Sequence, residues 1–164
     1  IFPLLIKGKG KMPLSIIGMG VLFNTLNALM QGGWIFYISP SGMYPPSWYG
    51  DPRFIAGTLL FAVGMFVNIQ SDSIIRHLRK PGDNRHYLPK GGMFRYVTSA
   101  NYLGELMEWV GFAILTWSWA GAVFALWTFA NLCPRAARIY ERYKTEFGDK
   151  LDTRKVKRLI PFIY

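Results

Sequence analysis

Residues 97–132 read VTSANYLGELMEWVGFAILTWSWAGAVFALWTFANL, and Glu105 and Glu108 are the only charged residues among them. As one helix, at about 1.5 Å per residue, this run would be roughly 54 Å long, against a hydrocarbon core of ~30 Å. Tilt does not absorb so large an excess. Two crossings joined by a tight turn do, with the break expected at residues 116–121, TWSWAG, where Trp117 and Trp119 suit interfacial depth. Upstream, residues 54–70 form an uncharged run of 17 positions, the short limit for a span. Further upstream, Leu14–Ile38 is uncharged over 25 positions and is followed by Ser39-Pro40-Ser41-Gly42 and Pro45-Pro46, which turn the chain. The expected fold is an all-α, polytopic transmembrane helix bundle in a single domain covering residues 1–164. Its four spans lie near residues 14–38, 54–72, 97–117 and 119–140, with a loop at 73–96 and a tail at 141–164.

The charge distribution tests that count. Of the 19 Lys and Arg residues, 18 fall before the first span, between the second and third, or from Arg135 onward at the end of the fourth, leaving Arg53 alone on the other side. Three spans would separate the central loop from the tail; four put both on one face, which the positive-inside rule makes cytoplasmic. The net charge of +10 therefore needs no nucleic acid as a partner. A hydrophobic content of 51% and a mean hydropathy of +0.18 exclude a disordered chain. The single cysteine, Cys133, excludes an intrachain disulfide and a cysteine zinc cluster. The chain opens on Ile1-Phe2-Pro3-Leu4-Leu5-Ile6, which reads as the end of an earlier apolar segment, so a longer parent protein is expected.

Polar groups at membrane depth are costly and mark candidate sites. Asn68, Asp72, Arg76 and Arg79 share one helix face at the end of the second span; Asn101, Glu105 and Glu108 share another at the start of the third. Two amide-plus-carboxylate stripes thus flank one basic loop, an arrangement able to hold a ligand bearing phosphates, riboses and an amide. Plainer readings stand beside it. Asp72 and Arg76 fit a solvated ion pair, Glu105 and Glu108 fit hydrogen-bonded glue between helices, and the basic tail fits attraction to anionic lipid. Lys80-Pro81-Gly82-Asp83 alone is a helix stop and a turn. No phosphate loop is present, Gly18-Met19-Gly20 lacks the rest of a dinucleotide fingerprint, and His77 and His86 cannot form HExxH. No GxSxG elbow occurs.

Taken in order, Asn68-Ile69-Gln70-Ser71-Asp72, residues 76–83 (RHLRKPGD), residues 88–94 (LPKGGMF), residues 100–109 (ANYLGELMEW) and the closing residues 159–164 (LIPFIY) resemble the steroid 5α-reductase family. The resemblance implies a seven-span parent, of which this chain would be the fourth to seventh spans. It further implies NADPH as cofactor, hydride transfer to C5 of a 3-oxo-Δ4 steroid and protonation at C4. By position, Asn101 and Glu105 would hold the nicotinamide amide, Asn68 and Asp72 ribose hydroxyls, and Arg79 the phosphates. Tyr143 matches a family tyrosine in the last helix. The family's catalytic Glu and Tyr belong to earlier spans, so no catalytic residue is assigned here. His86-Tyr87 replaces a Tyr-Arg or Tyr-Lys pair, Ile139 stands for a histidine, and Gln70 replaces another.

The resemblance also implies an integral, multi-pass protein of the bacterial inner membrane or endoplasmic reticulum, with its cofactor side cytoplasmic. A monomer is expected, whose partners are membrane lipid and a hydrophobic steroid or enone lipid substrate. Alternative readings are a membrane reductase of enoyl-CoA or polyprenol-type substrates, an integral-membrane methyltransferase using S-adenosylmethionine, and a non-enzymatic scaffold. The scaffold explains neither polar stripe.

Overall fold

The computed structural model describes residues 13–78 and 86–164. Lys7, Lys9, Lys11, Arg79, Lys80, Arg85, the Pro81-Gly82-Asp83 turn and the apolar opening at residues 1–6 lie outside the described residues. Among the described residues there are four α-helices: α1 (Leu14–Gly33), α2 (Pro52–His77), α3 (Ala100–Thr116) and α4 (Trp119–Phe147). The chain divides into two compact units, residues 1–39 and 40–164.

In the first unit α1 runs on into a π-helical turn, Trp34–Ile38. The stretch Leu14–Ile38 is long and apolar enough to cross a membrane, and so is Pro52–His77 in the second unit. The other two helices fall outside that description for separate reasons. α3 has only 17 residues and carries Glu105 and Glu108. α4 has 29, and its C-terminal half carries Arg135, Arg138, Arg142 and Lys144. At roughly 43 Å it outreaches a hydrocarbon core. Leu59, Phe66, Leu126 and Trp127 are each more than half exposed on the outer faces of α2 and α4, a surface that suits lipid and is unusual in water.

In the second unit the start of α2, the end of α3 and the start of α4 each have a local cause. Asp51 caps α2, accepting from the backbone N–H of Arg53 at 2.8 Å, and Pro52 occupies the first turn, where no donor is lost. The same carboxylate takes the Arg53 guanidinium at 2.9 Å on both oxygens, and that guanidinium lies over the rings of Trp48 (4.6 Å) and Trp117 (5.1 Å). Asp51 is thereby held down to a pKa of about 2, chiefly by its hydrogen bonds to Arg53. α3 ends at Thr116, and Trp117 takes a left-handed conformation (φ 46°). The freed carbonyls of Leu115 and Thr116 accept from Trp48 Nε1 (3.1 Å) and the Tyr44 hydroxyl (2.7 Å). Ser118 then caps α4 through the N–H of Gly121 at 2.9 Å. The turn between α3 and α4 therefore falls at Trp117 and Ser118.

The buried core of this unit gathers at the N-terminal end of α3, from Phe94, Val97, Ala100, Leu103, Ala136 and Leu159. The basic tail does more than carry charge to a lipid surface. It folds back so that Val97 and Lys157 pair in parallel, with Thr98 N–H donating to the Lys157 carbonyl (2.8 Å) and Lys157 N–H to that of Tyr96 (2.7 Å). Leu159 is wholly buried. Charge count alone favours a solvated tail; the apolar residues at 156, 159 and 160 are what turn it inward.

Candidate functional site

The site is set by how closely α2 and α3 approach. A methyl group placed on Gly64 would lie 2.7 Å from the backbone nitrogen of Glu108, and one on Gly104 would lie 2.5 Å from that of Asn68. Gly57 and Gly111 face each other in the same way: a methyl group on either would lie within 2.8 Å of the other's carbonyl oxygen. Glycines seven residues apart on each helix thus form a reciprocal, antiparallel seam with backbone against backbone. Only so close a seam lets short polar side chains reach across.

At the end of that seam Asn68 Nδ2 donates to Glu108 Oε1 at 2.9 Å. Asp72, one turn along α2, faces the Asn101 side chain. The ion pair suggested for Asp72 and Arg76 takes another form: Arg76 Nε donates to the Asp72 backbone oxygen at 3.3 Å, while its charge acts on the carboxylate. Glu105 is partly buried and lies in the field of Glu108, Asp72 and, from α4, Arg135. The structure therefore brings Asn68, Asp72, Asn101 and Glu105 into one cluster and adds Glu108 and Arg135. From sequence alone Arg135 counts only among the basic residues that close the fourth span, and the glycine pairs at residues 57, 64, 104 and 111 draw no attention. Their matching seven-residue spacing is the signal that would have found them.

Tyr143 sits apart from this cluster. It lines a cavity of about 360 Å³ formed by residues 88–98 on one side and 150–156 on the other. Its ring packs edge-on against Phe147 at 5.7 Å. The cavity wall begins at a sharp turn in which Gly91 (φ 93°) and Gly92 (φ 49°) take conformations that side chains resist. A methyl group on Gly92 would also meet Gln70 Oε1 at 2.6 Å, so the turn is pressed onto the end of α2. His86 is tied to Glu146 of α4 at 3.0 Å, and Arg79 is outside the described residues.

Three carboxylates, two carboxamides and one guanidinium make a set rich in acceptors. It suits a ligand that presents N–H and O–H donors, such as a carboxamide or ribose hydroxyls, and it repels phosphate. Among the described residues no cluster of His, Cys, Asp and Glu has the makings of a metal site.

The family model for 3-oxo-5-alpha-steroid 4-dehydrogenase matches residues 10–164. The chain belongs to that family. It is 44% identical over 164 residues to human 3-oxo-5-alpha-steroid 4-dehydrogenase 1, covering all of this chain and 61% of that protein. Against the mouse type 1 protein it is 45% identical over 163 residues, or 99% of this chain and 62% of the relative. Identity to the human type 2 protein is 42% over 164 residues, again all of this chain and 62% of the relative. The chain thus spans about three fifths of these curated family members. The seam glycines 57, 64, 104 and 111, the cluster and the cavity all lie within the matched residues.

Proposed function

We propose that the full-length protein reduces the C4–C5 double bond of 3-oxo-Δ4 steroids with NADPH, and that the cluster at the α2–α3 seam holds the nicotinamide end of the cofactor. The observation that carries this reading is the seam itself: Asn68, Asp72, Asn101 and Glu105 converge in a chain whose relatives are named for this steroid activity. In this reading Glu105 accepts from the carboxamide N–H groups, and Asn101 can both donate to and accept from the same amide. Asn68 and Asp72 face the ribose hydroxyls. Bound NADPH supplies the hydride that goes to C5, with a proton added at C4. These side chains orient the reacting carbon, and orientation is their contribution to rate. The groups that hold the 3-oxo oxygen are expected outside these residues. The protein is further read as four spans of a seven-span, monomeric membrane protein, with the cluster opening to the cytoplasm.

The test is turnover by the full-length protein. With a 3-oxo-Δ4 steroid, the reading requires one NADPH oxidised for each saturated 3-oxo product. Reduction of an enoyl-CoA or polyprenol-type substrate with no steroid turnover would contradict the substrate class. Methyl transfer from S-adenosylmethionine with no NADPH oxidation would contradict the reaction.

A further inference from the structure

Residues 159–164 form a small closed turn that the reductase reading does not use. The N–H groups of Leu159 and Ile160 both donate to the Tyr164 carbonyl at 2.7 Å, and those of Ile163 (3.2 Å) and Tyr164 (3.0 Å) donate to the Ile160 carbonyl. Its inner side is Leu159, wholly buried; its outer side is Phe162 and Ile163, 76% and 80% exposed. Phe162 has a φ of 66°, a left-handed conformation that side chains resist. Two large apolar side chains presented outward from a strained backbone call for a partner. The Phe162 ring also leans on that of Tyr96 at 5.6 Å, and Tyr96 is itself exposed, so the surface is continuous and aromatic.

The level of the turn along the molecule points to that partner. Tyr164 and Cys133 pack against the same core at the N-terminal end of α3, and the Tyr164 hydroxyl shares a hydrogen bond with the Cys133 thiol. Cys133 lies at the close of the uncharged part of α4, residues 119–134, beyond which come Arg135, Arg138 and Arg142. Phe162 and Ile163 therefore sit where apolar surface gives way to charge, the depth at which aromatic rings line a membrane boundary. The segment leading into the turn is basic: residues 150–158 carry Lys150, Arg154, Lys155, Lys157 and Arg158 against Asp152 alone. Pairing of Lys157 with Val97 fixes that segment in place, and the Lys155 side chain is 82% exposed. An apolar wedge beside a fixed row of cations complements a leaflet with anionic headgroups.

We propose that the turn at residues 159–164 is an interfacial anchor, in which Phe162 and Ile163 enter the headgroup boundary of an anionic leaflet and Lys155 and Lys157 meet its charged headgroups. Membrane contact at this turn also holds the tail against Val97, because Leu159 is buried on the turn's inner side. The anchor does not depend on the reaction assigned above.

The test places an environment-sensitive fluorophore on Ile163→Cys in the full-length protein, with its other cysteines changed to Ser, in nanodiscs of phosphatidylcholine with or without phosphatidylserine. A lipid carrying a quencher near its headgroup reads the depth of the label. Position 163 should show blue-shifted emission and strong quenching, and more of both when phosphatidylserine is present. A label on Lys144→Cys, about 15 Å beyond Pro134 along α4, should show neither. Lys155→Gln together with Lys157→Gln should abolish the gain from phosphatidylserine. Phe162→Gly should reduce quenching at position 163, while its melting temperature in detergent stays at or above that of the wild type, since glycine takes the left-handed conformation freely. A label at 163 that emits as in water would overturn the anchor. So would one that is blue-shifted yet unquenched by lipid, because another part of the protein would then cover the turn. Quenching that ignores both phosphatidylserine and the lysine variants would remove the anionic headgroup from the assignment and overturn it as stated. A lower melting temperature of Phe162→Gly in detergent would make the ring a structural contact of Tyr96 and overturn it too.

Discussion

Glu105 and Glu108 stand one turn apart on α3 and have different neighbours. Glu108 accepts from Asn68 across the seam, while Glu105 faces Asp72 and Arg135. Glu108 is therefore the helix-to-helix tie. A double-mutant cycle with Asn68→Ala and Glu108→Ala, read by denaturation in detergent, should give a coupling of about 1–3 kcal/mol; additive losses would mean that the pair does not interact. A second prediction concerns Asp51. Its folded pKa of about 2 lies below its ordinary 3.8 because Arg53 donates to it. A depressed carboxylate stabilises the fold above its unfolded pKa, and that contribution is lost as pH falls through the folded value. Melting temperature should therefore fall between about pH 4 and pH 2 in the wild type. Asp51→Asn should show less of that acid loss; an identical acid limb in both would contradict the pairing. The carboxylate stripes were legible in the sequence because charge inside an apolar run stands out. Their division between tie and site was not, since it depends on what the opposite helix presents.

At the scale of elements, the pairing of α2 with α3 depends on glycines. Gly64→Ala and Gly104→Ala each place a methyl group against backbone atoms of the partner helix, at 2.7 and 2.5 Å respectively, and backbone cannot step aside as a flexible side chain can. The helices must part, at a cost of about 1–3 kcal/mol each as overpacking. Gly18→Ala on α1 meets nothing within 4 Å and serves as the neutral comparison. Melting temperatures of the three variants check this, and equal stability in all three would contradict the close seam. Apolar runs and an expected break within residues 116–121 make helices and a turn legible from sequence alone, because hydropathy and chain length constrain them. Hydropathy says nothing of which helix touches which. Gly57, Gly64, Gly104 and Gly111 carry that information, and it is readable only when two spans are compared. The tail shows a different limit: nine basic residues after α4 begins its polar half mask the apolar Leu159, which ends wholly buried.

At the scale of the whole molecule, the fold and the chemistry share one end. His86 meets Glu146, the tail pairs with Val97, and the cluster and cavity lie around the N-terminal end of α3. In the proposed topology that end faces the cytoplasm. Accessibility labelling of His86→Cys and Lys155→Cys in a Cys133-free full-length protein should mark both from the cytoplasmic face, and Tyr49→Cys from the other. Labelling of positions 86 and 155 from opposite faces would contradict the four-span reading. The central claim, that Asn101 and Glu105 position the nicotinamide, is tested most directly by measuring turnover per folded molecule alongside melting temperature for Glu105→Ala and Asn101→Ala. Misplacing a reacting centre by about 1 Å costs on the order of 10²-fold in rate. The account therefore requires turnover to fall by about that factor in both variants, with melting temperature near that of the wild type. Near-normal turnover from an unstable Glu105→Ala protein would make Glu105 a structural tie and contradict the account.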